Sequence, residues 1–384
     1  MAHMPLPPFS GWAGPRNPKM LIVGEAWGEN EHQCRQPFVG SSGLLLWEML
    51  GQAIPDVAPH LHAQAMRAAY RFGNAWIRDR IPWLEESGIA YTNVLNFQPP
   101  SNNLDVICCA KKELHPSYDR PALIRGKYLL PEYLPEIDRL LSEIDASQPN
   151  CIVAAGNTAC WALLRATNIG AIRGTTTSFE ANGQAFKVIP AYHPAAILRQ
   201  WQWKAVTTAD LGKAYREAIS GPDLIRPSRW IVINPSLRDV ETFCASALHT
   251  DLLSVDIETK WGMISCIGFA TSSRTAMVIP FINHAQEEGH YWPELPDEIY
   301  AWNLVKTMLE CDVPKLFQNG LYDLQYIVKM GIRPRNVAED TMLLHHSLYP
   351  EMRKGLGFLA SIYSNESAWK LMGRPKADTV KRDE

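Results

Sequence analysis

The chain is 384 residues long, with 46% hydrophobic and 20% charged residues. This balance suits two or three globular domains and excludes a largely disordered chain. Its formal net charge of −3 excludes bulk charge as a source of nucleic-acid affinity, so such binding must come from a local basic patch. No apolar run approaches the ~18–20 residues of a membrane span, and the first residues show no signal-peptide progression. The eight cysteines form no CxxC pair, which argues against a zinc ribbon or a disulfide framework and for a reducing compartment.

In chain order, MetLeuIleVal (20–23) reads as a short apolar strand ending at Gly24, and LeuLeuLeuTrpGluMetLeu (44–50) as a helix. Residues 90–97 are strand-like, 135–144 form an amphipathic helix, 151–156 a buried strand, 157–164 a helix and 186–190 a strand. Short apolar strands alternating with helices predict a parallel sheet covered on both faces. Ligands of such sheets sit at the carboxyl ends of the strands. The segment 219–228 carries two prolines, a glycine and two serines, and predicts a linker. Beyond it, 251–259 and 263–270 read as a strand hairpin. The expected domains are therefore 1–218 and 229–384.

Three predicted strand ends of the first domain carry reactive groups. They are GEAWG (24–28) followed by PFVGSSGLLL (37–46), TNVLNFQPPSNN (92–103), and HPAAILR (193–199). This order and content resembles the uracil-DNA glycosylase superfamily, closest to its family 4, whose motifs are similar to GEAPG, PFVGxAGxLL, TNVxxxRPPxN and HPAxxLR. IleArgGly (172–174) also matches, and the resemblance covers about residues 18–216. It implies a three-layer α/β/α domain with a central parallel sheet that hydrolyses the N-glycosidic bond of uracil, or a related pyrimidine, flipped out of DNA. By this resemblance Glu25 orients water or stabilises the sugar cation, and His193 donates to the base O2. Phe38 stacks on the base, Asn93 reads its polar edge, and Glu31 crowds the pyrimidine C5 position. Trp27, in place of the family proline, lies beside the water site. The loop with Arg199, Trp201, Trp203 and Lys204 reads equally as a wedge that enters the duplex and holds phosphates or as a partly buried aromatic face. Family 4 members usually hold an iron–sulfur cluster through four cysteines. Residues 1–20 contain none, so no cluster is expected and the glycosylase needs no cofactor. Residues 52–89 and 104–130 read as insertions, and Gln98 replaces the usual arginine. These departures leave open a modified-pyrimidine substrate, or a domain that senses bases without excising them.

The second domain has its own constellation. Asp256 and Glu258 stand two apart on a predicted strand, hence on one face, where two carboxylates repel unless cations lie between them. Asn319 and Asp323 stand four apart in QNGLYD (318–323). With DIET (256–259) and AEDTMLLHHSLYP (338–350), these resemble the DnaQ-like 3′–5′ exonuclease domain of phage-type family A DNA polymerases. That implies an RNase H-like α/β domain with a mixed sheet and two Mg²⁺ or Mn²⁺ ions. Asp256, Glu258 and Asp323 would be the metal ligands and Asn319 would position substrate. The family's third motif, YxxxD or HxxxD, has no counterpart in 364–384, so an impaired exonuclease is expected. The resemblance further implies the N-terminal part of a phage DNA polymerase with the polymerase domain on the same natural chain. It would act in the bacterial host cytoplasm on single-stranded or primer–template DNA, with no membrane partner.

Overall fold

The computed structural model describes residues 3–56, 83–283 and 289–368. The chain divides into two units. One holds the described residues up to Leu224 together with those from Ala360 onward, and the other is Ile225–Leu359.

The first unit begins with β1 (Met20–Ala26), α1 (Glu29–Cys34), α2 (Ser41–Ala53) and β2 (Ile89–Leu95). There follow the two-residue strands β3 (Cys108–Cys109) and β4 (Tyr128–Leu129), then α3 (Leu134–Ser147), β5 (Cys151–Ala155), α4 (Asn157–Leu164) and α5 (Ile169–Ile172). β6 (Thr177–Ala181), β7 (Gln184–Ala191), α6 (Pro194–Ile197) and α7 (Lys204–Ile219) complete it. The main sheet has the order β2-β1-β5-β7-β6. Its first four strands run parallel and β6 pairs antiparallel with β7. Every residue of β2 and β5 is buried, as strands covered on both faces require. Leu21 and Val23 pack with Ile137, Leu140 and Ile144 of α3 and with Trp161 of α4 in one core. The sequence does not call β6, whose exposure alternates along an edge strand.

α3 is amphipathic, yet its buried side carries Glu136, Arg139 and Glu143. Arg139 bridges the two carboxylates, Nε to Glu136 Oε2 at 2.9 Å and Nη1 to Glu143 Oε2 at 2.7 Å. Its Nη2 donates to the backbone oxygens of Asn93 at 2.7 Å and Val94 at 3.0 Å. Thr92 Oγ1 donates to Glu143 at 3.0 Å. This network satisfies buried charges that would otherwise be costly, and it fixes the end of β2 where Asn93 sits.

The second unit contains β8 (Trp230–Val232), α8 (Leu237–Ala247), β9 (Leu253–Lys260), β10 (Met263–Ser272), β11 (Thr275–Pro280), α9 (Leu295–Glu310) and β12 (Lys315–Phe317). α10 (Gly320–Lys329), β13 (Val337–Asp340) and α11 (Thr341–Leu348) follow, and the division between the units falls within the last described helix, α12 (Leu356–Tyr363). The sheet order is β13-β12-β9-β10-β11-β8. β9, β10 and β11 are antiparallel neighbours, whereas β12 is parallel to both β9 and β13, and β8 is parallel to β11. The sheet is thus mixed, as expected, and its core gathers Val255, Ile257, Ile267 and Phe269 with residues of α8 and α9.

Residues 360–368 belong with the first unit, whereas the sequence places them in the second domain. The reason is a buried polar socket. Arg173 Nη1 donates to Ser361 Oγ at 2.9 Å, and Lys213 Nζ donates to the backbone oxygens of Gly174 at 2.6 Å, Ser361 at 3.1 Å and Ser364. Thr176 N–H donates to Glu366 O at 3.3 Å. The stretch 369–384, most of the segment searched for a third exonuclease motif, and much of the 52–89 insertion lie outside the described residues.

Candidate active site

The carboxyl ends of β1, β2 and β7 converge on a cavity of about 520 Å³, lined among others by Glu25, Glu31, Phe38, Asn93, His193 and Arg199. Gly24 makes the convergence possible. A Cβ there would lie 2.2 Å from Asn93 Oδ1 and 2.6 Å from Phe38 Cζ, distances no side chain tolerates. Phe38 is buried in a left-handed backbone conformation (φ 53°) and packs edge-on against Tyr91 at 5.5 Å. Its ring stacks on His193 at 5.8 Å and 27°. Asn93 is 2% exposed.

His193 caps α6. Its Nδ1 accepts the Ala195 N–H at 3.2 Å, so in the neutral ring the proton resides on Nε2. Burial pushes the imidazole pKa below its ordinary value, against the pull of Glu25, and Arg199 pushes it the same way as burial. The site therefore holds a neutral imidazole with an Nε2–H donor. Glu25 accepts a hydrogen bond at 2.6 Å from Thr158 Oγ1 on α4.

Other expectations meet a different geometry. Glu31 lines the cavity, but its Oε1 accepts the N–H groups of Val39 at 3.0 Å and Gly40 at 2.8 Å. It clamps the loop that carries Phe38. Trp27 is not a wall of the cavity: Ala26 and Gly28 line it, while the Trp27 ring is 3% exposed and packs edge-on to His32 at 6.5 Å. Its backbone N–H is held by Phe97 O at 3.1 Å. Arg199 and Trp203 line the cavity, but Trp203 stacks on Tyr192 at 4.3 Å and 9°. Lys204 is ion-paired with Glu48 and lies 4.6 Å above the Trp201 ring. Its charge is engaged within the protein, while Trp201 stays 58% exposed. Thr158, Asn157 and Tyr192 are absent from the sequence reading. The signal for the first two was their place directly after Gly156 at the end of β5.

The family description "Uracil DNA glycosylase superfamily" matches residues 12–218, more than half of the chain. The chain belongs to the uracil DNA glycosylase superfamily. Relatives include the type-4 uracil-DNA glycosylase of Archaeoglobus fulgidus, 27% identical over 206 residues, covering 52% of this chain and 77% of the relative. The type-4 enzyme of Pyrobaculum aerophilum is 26% identical and covers 47% and 68%. Solved structures similar to part of the chain include the catalytic core of RRP6 from Trypanosoma brucei, 16% identical with a TM-score of 0.27, covering 36% of each chain. Escherichia coli RNase D is 15% identical with a TM-score of 0.27, covering 37% of this chain and 34% of that one. The chain thus spans about a third of the length of these solved structures.

Within the glycosylase unit the cysteines are dispersed. Cys151 lies in β5 and Cys160 in α4, both buried, while Cys108 and Cys109 lie in β3. Burial, the nearby Asp105 and Cys109 push the Cys108 thiol up to about 11, the opposite of a thiolate ligand. Among the described residues no three cysteine, histidine or carboxylate groups gather as a metal-binding set. These residues do not fit an iron–sulfur cluster.

Nor do three such groups gather among the described residues of the second unit. Asp256 and Glu258 alternate with buried neighbours on the exposed face of β9. Asp323, on α10, is 3% exposed and turns its Oδ1 to the Ile257 N–H at 2.9 Å. Asn319 adopts φ 60° at the start of α10. Asp340, not singled out from the sequence, holds that turn by accepting the N–H groups of Asn319 at 3.1 Å and Gly320 at 2.7 Å.

Burial, with Asp256 and Asp340 adding to it, pushes the Asp323 carboxyl up to about 6, against the Ile257 hydrogen bond. Between the unfolded value near 4 and this value the folded state holds the extra proton. Acidification through that window therefore stabilises the second unit, and the gain is lost as pH rises through 6. Asp323→Asn keeps an oxygen for Ile257 and carries no charge. It is expected to raise the unit's thermal midpoint at pH 7, by about 1–2 kcal/mol of stability, with the difference vanishing near pH 4. Equal midpoints at pH 7 in EDTA would contradict this account.

Proposed function

We propose that the glycosylase unit hydrolyses the N-glycosidic bond of uracil in DNA. The observation that carries this reading is the convergence of a neutral His193 donor, the Asn93 carboxamide and the Phe38 ring around one cavity that also holds Glu25. A flipped pyrimidine stacks on Phe38, and Asn93 meets its O4 and N3–H with one donor and one acceptor. The C1′–N1 bond breaks heterolytically. Its electron pair leaves with the base as an anion spread over O2, and His193 Nε2–H donates to that oxygen as the charge develops. Glu25 stabilises the cationic sugar and orients a water whose oxygen bonds to C1′. One proton of that water passes to the departing base through solvent or Glu25. Type-4 uracil-DNA glycosylase relatives support uracil as the base.

For the second unit, we propose an origin in a 3′–5′ proofreading exonuclease joined to a phage DNA polymerase. The support is the order of the DIET, QNGLYD and AEDT segments. With Asp323 turned to the β9 backbone, trimming by this chain is expected to be weak.

The test is single-turnover incubation with labelled oligonucleotides carrying one uracil, single- and double-stranded, in EDTA, followed by alkali. Strand cleavage at the uracil position is the expected result. Intact strands despite tight binding would refute excision of uracil and turn attention to modified pyrimidines.

A further inference from the structure

We infer that Thr158 is a positioning residue for Glu25, holding one oxygen of its carboxylate and leaving the other for water; this rests on the excision reading above. Thr158 is 2% exposed and its hydroxyl donates to Glu25 Oε2 at 2.6 Å. Several other threonine hydroxyls of the same unit bond locally, to the carbonyl three or four residues earlier, although Thr92 on β2 also reaches a distant carboxylate, that of Glu143. Thr175 donates to Ile172 O, Thr207 to Trp203 O and Thr208 to Lys204 O. That habit satisfies a helical hydroxyl without reference to function. Thr158 instead reaches across from α4 to a side chain 133 positions away, on β1.

The placement follows from the turn before it. Gly156 adopts φ +89° at the start of α4, and a Cβ there would lie 3.0 Å from His193 Cβ. This glycine therefore seats His193 close to the turn and starts the helix that presents Thr158. Asn157, the next residue, ties this turn to α5, its Oδ1 accepting Ile169 N–H at 3.0 Å. The first turn of α4 also carries partial positive charge, which favours a carboxylate beside it. Among the described residues Glu25 Oε1 has no hydrogen-bond partner, so the carboxylate is fixed through one oxygen only. Charge-assisted O–H···O⁻ bonds are short and directional, and holding a group within a fraction of an ångström of its reacting geometry has a large effect on rate.

The experiment compares the full chain with its Thr158→Val, Thr158→Ser, Glu25→Gln and doubly substituted Glu25→Gln/Thr158→Val forms. Excision is measured at single turnover, and affinity by anisotropy on an oligonucleotide with an uncleavable 2′-fluorinated deoxyuridine. Thr158→Val is expected to slow excision by about 10- to 100-fold with unchanged affinity and thermal midpoint. Thr158→Ser recovers most of the rate, and the double form is no slower than Glu25→Gln alone. A Thr158→Val rate within about threefold of the parent, an additive double form, or an equal loss of affinity and folding would overturn the inference. If the parent excises no pyrimidine, the excision reading fails separately. Crystal structures then decide the inference: a Glu25 carboxylate displaced in Thr158→Val and retained in Thr158→Ser upholds it, and one unmoved in Thr158→Val overturns it.

Discussion

Replacing His193 by alanine is expected to slow excision of uracil by about 10²–10³-fold, the usual cost of losing one preorganised donor to a developing anion, with DNA affinity little changed. The geometry sets both halves of this expectation. The imidazole is neutral, with Nδ1 occupied by the Ala195 N–H and Nε2–H left as donor, so it contributes little to holding a ground-state base. Its contribution grows only as negative charge accumulates on O2. The same geometry fixes the pH response. Burial holds the imidazole pKa below its usual range, and protonation at Nδ1 would break the cap on α6. The excision rate should stay level as pH falls through 6.5 and decline only in more acid solution. A parent rate that halves near pH 6.5, or a His193→Ala form within tenfold of the parent, would count against His193 as the O2 donor.

Asp210→Ala is expected to destabilise the glycosylase unit by about 3–5 kcal/mol, the cost of removing one member of a buried charge set. That is a drop in thermal midpoint of roughly 10 °C for a unit of this size. Asp210 is 2% exposed and accepts Arg173 Nε at 2.8 Å, with a second contact to Arg173 Nη2. Burial raises its pKa while Arg173 holds it down, and burial presses the neighbouring Lys213 down to about 8 against the pull of Asp210. Without the carboxylate, two buried cations face each other across Gly174. The second variant, Asp210→Ala with Arg173→Met, removes one of those cations and should recover part of the loss. Calorimetry of the full chain checks both. A loss below about 1 kcal/mol for Asp210→Ala would show that solvent, and not Asp210, balances these charges.

The strands and helices of the first unit were legible in the sequence because parallel strands covered on both faces are uninterrupted apolar runs. Residues 20–23 and 151–156 could be little else. Strand-end chemistry was legible for the same reason: the polar residues after such runs must sit at one edge of the sheet, which is where Glu25, Asn93 and His193 lie. The alternation of Asp256 and Glu258 with buried neighbours also followed from the period of a strand.

Side-chain direction was another matter. Glu31 and Trp27 belong to the right segment, but the backbone amides of Val39 and Gly40 claim the first and burial beside His32 claims the second. Lys204 is paired with Glu48, on a helix more than 150 residues away in sequence. Asp323 stands at its expected spacing from Asn319, but the free N–H of Ile257 draws it to the strand. The antiparallel edge strand β6, the charged inner side of α3 and the return of residues 360–368 to the first unit have one cause in common. Each is fixed by pairing with other parts of the chain, β6 with its neighbour β7 across a hairpin and the other two through hydrogen bonds between residues far apart in sequence, and the local apolar pattern carries little record of it. Composition, periodicity and motif order determined which elements form and which unit carries the glycosylase site; tertiary structure alone decided which polar groups remain free at that site, because buried donors and acceptors must first satisfy one another.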